Sequence, residues 1–191
     1  EVMDEALLAS AAGELLDVDL AWTGGIPVVD DILHMERLKT AVYSFECPLR
    51  AGAILAGADE HTVDRLGAFG REIGIAYQLV DDLLGVFGVE AETGKSALGD
   101  LREGKRTVLI AHAEGTPGWE AVAGLLGADD LDDAGAARLR AHLDHCGARA
   151  FGEELVEKHV SRARAHVRAI SSPALRDHLL ALVDQAVRRI R

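Results

Sequence analysis

Apolar positions along this chain recur every three or four residues almost from end to end, while the period-two alternation of a half-buried strand is absent. On that spacing the chain is expected to be all-α, with helices over 2–21, 29–57, 60–88, 104–114, 118–126, 133–146, 149–170 and 173–190. The breaks have local causes. Gly24-Gly25-Ile26-Pro27 parts the first two helices, and Gly57-Ala58-Asp59 gives a glycine stop followed by an N-cap. Thr116-Pro117-Gly118 and Ser172-Pro173 are turn or helix-start signals. The one long irregular stretch, 89–103, is polar and glycine-bearing, and loops of that kind inside helical domains often carry function.

The 191 residues suffice for one domain with a real core, and a 49% hydrophobic content excludes disorder. A formal net charge of -12 speaks against nucleic acid or an anionic membrane as the main partner. It leaves room for one small anionic ligand, because bound metal ions invert the local field. Cys47 and Cys146 form no Cys-x-x-Cys pair, which gives no structural zinc and fits a reducing, cytoplasmic compartment. No apolar run approaches the roughly 20 residues of a membrane span, so no integral membrane segment is expected.

The run from Gly67 to Gly88 carries the sharpest chemical signal. Ile73, Tyr77, Val80, Leu84 and Phe87 repeat at helical spacing and are expected to face the core. Gly74, Gln78, Asp81, Asp82 and Gly85 fall on a second, polar stripe. Glycine inside a helix costs roughly 1 kcal/mol relative to alanine, so repeated glycines there point to a close neighbour. Two adjacent carboxylates repel, and a cation offsets the repulsion; aspartate oxygens with room for water suit Mg²⁺. The plainer alternative is a solvated acidic helix end.

Gly94-Lys95-Ser96 has the ending of a P-loop. Its spacing fails, because Val89 stands where the first glycine is required, and a helix precedes it in place of a strand. What survives is a set of cations, Lys95, Arg102, Lys105 and Arg106, downstream of the two aspartates. Metal on one side and lysine on the other suits a diphosphate, although a solvated basic loop would read the same way. Glu36, Lys39, Thr40 and Tyr43 share a face of the second helix, as do Gly13, Glu14 and Asp17 on the first. Three such stripes suggest a bundle whose central cavity has a polar end. His142 and His145, beside Cys146, are expected to be solvated, since no third ligand stands at zinc spacing.

Taken together, these residues resemble the trans-prenyltransferases, or polyprenyl diphosphate synthases. The resemblance covers about residues 13–113. It is strongest in Lys39-Thr40-Ala41-Val42-Tyr43-Ser44-Phe45, in the stretch from Gly74 to Asp82, and in Thr93-Gly94-Lys95-Ser96 followed by the stretch from Asp100 to Thr107. It implies an isoprenoid synthase-type helical bundle, usually a homodimer. It also implies Mg²⁺-assisted ionisation of an allylic diphosphate and head-to-tail attack by isopentenyl diphosphate, with an apolar cavity for the growing chain. Carried onto this sequence, Asp81 and Asp82 would hold metal, and Asp17 would order the metal or a nearby lysine. Lys39 and Lys95 would contact the allylic diphosphate, with Lys105 a third such cation. Thr40 and Gln78 would attend the reacting end, with Tyr43 at the substrate cavity.

Three departures accompany the resemblance. Gly85 stands where a third carboxylate is usual, which is expected to weaken one Mg²⁺. Glu14 replaces an amide. The family's first aspartate-rich motif is missing, together with the groups that bind isopentenyl diphosphate, so the chain resembles the C-terminal half to two-thirds of such an enzyme and is expected not to turn over alone. Two other readings share these residues: a non-catalytic partner subunit, and a terpene cyclase on the same fold.

Overall fold

A computed structural model of the chain describes residues 1–22, 25–88 and 99–187. Helices account for its regular structure throughout these residues, with no strand among them. In chain order they are α1 (Val2–Trp22), α2 (Val29–Glu36), a π-helical run (Arg37–Glu46), α3 (Cys47–Leu55), α4 (Glu60–Phe87), α5 (Gly99–Arg102), α6 (Val108–Ala113), α7 (Asp133–His145), α8 (Ala148–Arg168) and α9 (Pro173–Val187).

The 28-residue α4 is the axis of the bundle. Asp59 caps it, its side chain accepting from the Thr62 N–H at 2.8 Å, as the sequence leads one to expect. One side of α4 packs on the π run and α3, the other on α8, with α9 closing over its first half. Ile73, Ala76, Leu79, Val80, Leu83 and Val86 are buried along it, so it has apolar neighbours on more than one side. Tyr77, Leu84 and Phe87, expected in the core, are only half-buried at its margin.

The expected helix 29–57 is one continuous rod, but its middle ten residues are π-helical. The Cys47 N–H reaches back five residues to the Val42 carbonyl. Pro48 gives a reason: it has no N–H to donate, and in an α-helix its ring crowds the carbonyl four residues earlier. The wider π turn before it lets the rod continue. Its end is pinned by a two-pronged ion pair, Arg71 Nε and Nη2 donating to the buried Glu46 carboxylate at 3.0 and 2.9 Å. α1 crosses the same run at Gly13, where a Cβ would fall 2.6 Å from the Lys39 Cα.

Two expectations fail after α5. The stretch 118–126 is not a helix but two short 3₁₀ turns, Trp119–Ala121 and Ala123–Leu125, and the expected helix 104–114 is α6 alone. Gly118 and Gly127, both at positive φ, hold the backbone in turns that apolar spacing does not register.

Candidate functional site

One end of the bundle gathers polar side chains from four elements around a small pocket of about 80 Å³. Asp17 comes from α1. Glu36, Lys39 and Thr40 come from the end of α2 and the π run. Gln78 and Asp82 come from α4, while Lys105, Arg106 and Thr107 come from the segment before α6. Ile32 and Met35 supply apolar floor. π-helical turns are often found at functional sites, and this one places Lys39 and Thr40 at the rim.

The polar groups are linked in a chain. Thr40 Oγ1 donates to Gln78 Oε1 at 3.3 Å, and Gln78 Nε2 donates to Asp82 Oδ1 at 3.2 Å. Lys105 Nζ reaches the same Asp82 oxygen at 2.7 Å and stands 3.7 Å from Asp100 Oδ2. On the opposite rim, Lys39 Nζ lies 2.7 Å from Asp17 Oδ2 and 3.1 Å from Glu14 Oε2. Burial opposes the charge on Lys39, but Asp17 and Glu14 outweigh it and raise its pKa. The same contest on Lys105 is won more decisively by Asp82, with help from Asp100 and Glu36. Both ammonium groups are therefore firmly charged and held at the pocket by carboxylates.

Glu36 is the residue sequence reasoning undervalued. It was expected on a helix face with Lys39, Thr40 and Tyr43, yet it is 3% exposed and lies against the equally buried Asp82. Burial, then the charge and hydrogen bond of Asp82, lifts its carboxyl well above the usual range, with Lys105 opposing. Glu36 Oε2 and Asp82 Oδ2 have no donor unless one of these carboxyls carries a proton. The only available signal was its place three residues before Lys39.

The other expected site residues are distributed unevenly. Asp81 is half-buried beside Asp82. Tyr43 is 55% exposed and does not line the pocket. Lys95, with the rest of Thr93-Gly94-Lys95-Ser96, lies outside the described residues. Arg102 donates to the Leu131 carbonyl at 3.1 Å, away from the pocket. Arg106 donates to the Leu20 carbonyl at 3.0 Å and also to that of Gly25, tying the end of α1 to the site. His145 is exposed, while His142 is half-buried, 3.3 Å from Thr116 Oγ1 and tilted over Trp119. Among the described residues, no three His, Cys, Asp or Glu side chains converge to hold a metal by themselves.

The sequence profile of the polyprenyl synthetase family matches residues 1–141. The chain belongs to that family. The geranylfarnesyl diphosphate synthase of Aeropyrum pernix is 32% identical over all of this chain and 60% of its own length. Among solved structures, the geranylgeranyl pyrophosphate synthase of Corynebacterium glutamicum, crystallised with isoprenyl diphosphate and magnesium, is 33% identical and superposes with a TM-score of 0.91. That match covers 98% of this chain and 54% of the other. A decaprenyl diphosphate synthase from Rhodobacter capsulatus, 28% identical, gives a TM-score of 0.85 over 100% of this chain and 59% of its own. The fold is thus that of the polyprenyl synthases, and this chain spans roughly 54 to 60% of these relatives' length. No helix among the described residues is long and apolar enough to cross a membrane.

Proposed function

We propose that this chain forms the diphosphate-gripping half of a prenyltransferase site, which joins isopentenyl diphosphate to an allylic diphosphate. The observation that carries the reading is the convergence of Lys39, Lys105 and Arg106 with Asp82, Gln78 and Thr40 on one pocket of a polyprenyl synthetase fold. Ionisation of an allylic diphosphate leaves several negative charges on the departing group, and preplaced cations stabilise that charge as it develops. Lys39 and Lys105 are such cations, held by carboxylates that a phosphate can replace. Thr40, fixed by Gln78, can direct its hydroxyl toward the reacting end. Lys95 joins them in this proposal.

The residues fit Mg²⁺ in its usual shared form. Mg²⁺ takes one or two carboxylates and fills its shell with water and substrate phosphate, so a cage of three protein acids is not needed. Asp81 and Asp82 would supply the carboxylates, and the buried, donorless Asp82 Oδ2 is an acceptor in want of a partner. Asp17 would act through Lys39, which it holds. When bound, the metal adds positive charge at the diphosphate.

A pocket of about 80 Å³ takes a diphosphate and no long prenyl tail. The chain spans 54 to 60% of the length of the relatives named above, and by itself it is proposed to be inactive. We place it in a homodimer in the cytoplasm. Exposed Leu7, Leu8, Leu15, Val18 and Trp22 on α1 support an apolar partner surface, and the two free cysteines suit a reducing compartment.

Calorimetric titration with farnesyl diphosphate and Mg²⁺ tests the reading. Saturable binding, weakened at least tenfold in Lys39→Gln, is expected on general grounds for a lost charge-assisted contact. Absence of binding by the unmodified chain overturns it. Chain elongation by the 191 residues alone, on adding isopentenyl diphosphate, overturns the inactivity.

A further inference from the structure

Charge is spread unevenly along this chain. Residues 158–191 hold eight Lys or Arg against two Asp, whereas residues 1–157 hold twelve Lys or Arg against thirty Asp or Glu. The net charge of -12 therefore conceals a basic last segment. Where α8 turns into α9, Arg164 and Arg168 from α8 and Arg176 from α9 surround an open cleft of about 430 Å³, with Val167 and Leu180 as its apolar lining. α8 runs antiparallel to α4, since Gly152 packs on Leu83 while His159, two turns later, meets Glu72 at 2.7 Å. The cleft at the end of α8 thus lies toward the start of α4, at the other end of the bundle from Asp82. Elsewhere the arginines of α8 are answered by acids: Arg149 pairs with Glu153 at 3.0 Å, and Arg162 stands 4.0 Å from Glu72. In the cleft one carboxylate serves three guanidinium groups, Asp184 meeting Arg164 at 3.2 Å. Arg176 gives one N–H to the Ile170 carbonyl at 3.1 Å, which fixes its plane and leaves its other donors unused among the described residues. Arg168 is exposed and makes no ion pair or hydrogen bond among the described residues.

We propose that this cleft is a second ligand site, which binds a compact phosphate or diphosphate ester carrying an apolar group and does so without metal. The planar fork of a guanidinium matches two phosphate oxygens at once, and three such forks converge here. Arg164 and Arg176 are held in place beforehand, so less side-chain freedom is lost on binding. A cleft of about 430 Å³ has room for more than a phosphate group, and Val167 and Leu180 give the remainder a hydrocarbon wall. Size also selects the ligand. An extended polyanion or an anionic membrane would face the acidic rest of the chain and be repelled, whereas a compact anion meets only the basic corner. The proposal does not depend on how the pocket at Asp82 is read.

The test follows the arginine Nε–H resonances of the isotopically labelled full chain during titration, without metal, by geranyl diphosphate and separately by inorganic diphosphate. Saturable shifts at Arg168 and Arg176 are expected with both. Geranyl diphosphate should bind about fivefold more tightly, because its hydrocarbon covers apolar lining. Arg168→Gln should weaken binding about fivefold, and its thermal unfolding midpoint should match that of the unmodified chain, since the exposed side chain holds nothing in place. Lys39→Gln, at the other end of the bundle, should leave the shifts as they are. Absence of shifts at both arginines, or an affinity that Arg168→Gln does not change, overturns the site. Equal affinity for the two probes removes the apolar wall and overturns the ligand class. Loss of the shifts in Lys39→Gln places the ligand in the other pocket and overturns the site as well. A parallel sedimentation assay uses vesicles of phosphatidylglycerol and phosphatidylcholine. Vesicle binding that Arg168→Gln abolishes makes the corner a membrane contact and overturns the compact ligand; no vesicle binding is expected. If farnesyl diphosphate and Mg²⁺ fail to bind at the pocket, the proposed function falls while the shifts at Arg168 and Arg176 still decide this site.

Discussion

Lys105 and Asp82 meet at 2.7 Å, with the aspartate side chain 2% exposed and the lysine 33% exposed. The ammonium is the principal counter-charge for a carboxylate that the fold has otherwise taken out of water, and Gln78 donates to the same oxygen. Truncating Lys105 to alanine should therefore destabilise the chain by about 3 kcal/mol, because the charge left behind is buried. Urea unfolding of Lys105→Ala measures it; a loss below about 0.5 kcal/mol would show the pair to be no stronger than a surface one.

Glu36 lies beneath that pair, where burial and then Asp82 raise its carboxyl well above the usual range. Glu36→Gln keeps the shape and can donate to Asp82 Oδ2, so at pH 7 it should stay within about 1 kcal/mol of the unmodified chain. Glu36→Ala leaves a cavity and an acceptor with no donor, and should cost about 2 kcal/mol or more. Equal losses for the two, read by urea midpoint, would mean that Glu36 is charged.

Glu72 gives the pH dependence. Burial would raise its carboxyl, but the hydrogen bond to His159 at 2.7 Å, that residue's charge, and Arg162 and His166 bring it below its ordinary value of 4.5. A lowered acid contributes stability in full above its unfolded value and loses it as pH falls through the folded one. The stability gap between the unmodified chain and Glu72→Gln should therefore be constant from pH 7 to about 5 and close progressively below 4.5. Chemical unfolding across that range checks it, and a gap that widens on acidification would reverse the assignment.

Asp81 and Asp82 should not be equivalent toward a cation. Asp82 is already held by Lys105 and Gln78 at one oxygen and faces Glu36. Asp81→Asn is expected to weaken Mn²⁺ binding, measured with inorganic diphosphate, by roughly tenfold, and Asp82→Asn by less. The reverse order would make Asp82 the primary ligand.

The bundle was legible because most of its helices obey the simplest rule, an apolar stripe every three to four residues. The polar stripe of α4 was legible for the same reason: Gln78 and Asp82 do project into one pocket. Tyr43 illustrates where that rule stops. In an α-helix it lies two turns beyond Glu36 on the same face, but with hydrogen bonds reaching back five residues seven positions no longer make two turns, and Tyr43 swings out to solvent. Nothing in the composition of Arg37–Glu46 announces the wider turn except Pro48 just after it. The contact at Gly85 was hidden for a different reason: Asp100, whose carboxylate fills the space beside it, is fifteen positions away along the chain.

The π run also acts as a phase shifter within the rod from Val29 to Leu55. It fixes how far α3 is rotated relative to α2, and deleting one residue there would turn everything downstream by about 100°. Helix length would hardly change, yet Arg50 would lose Glu5, Glu46 would lose Arg71, and the Pro48 ring would meet the carbonyl it now avoids. Insertions and deletions accumulated over evolutionary time should therefore fall on either side of this rod and spare its interior, even where individual side chains drift.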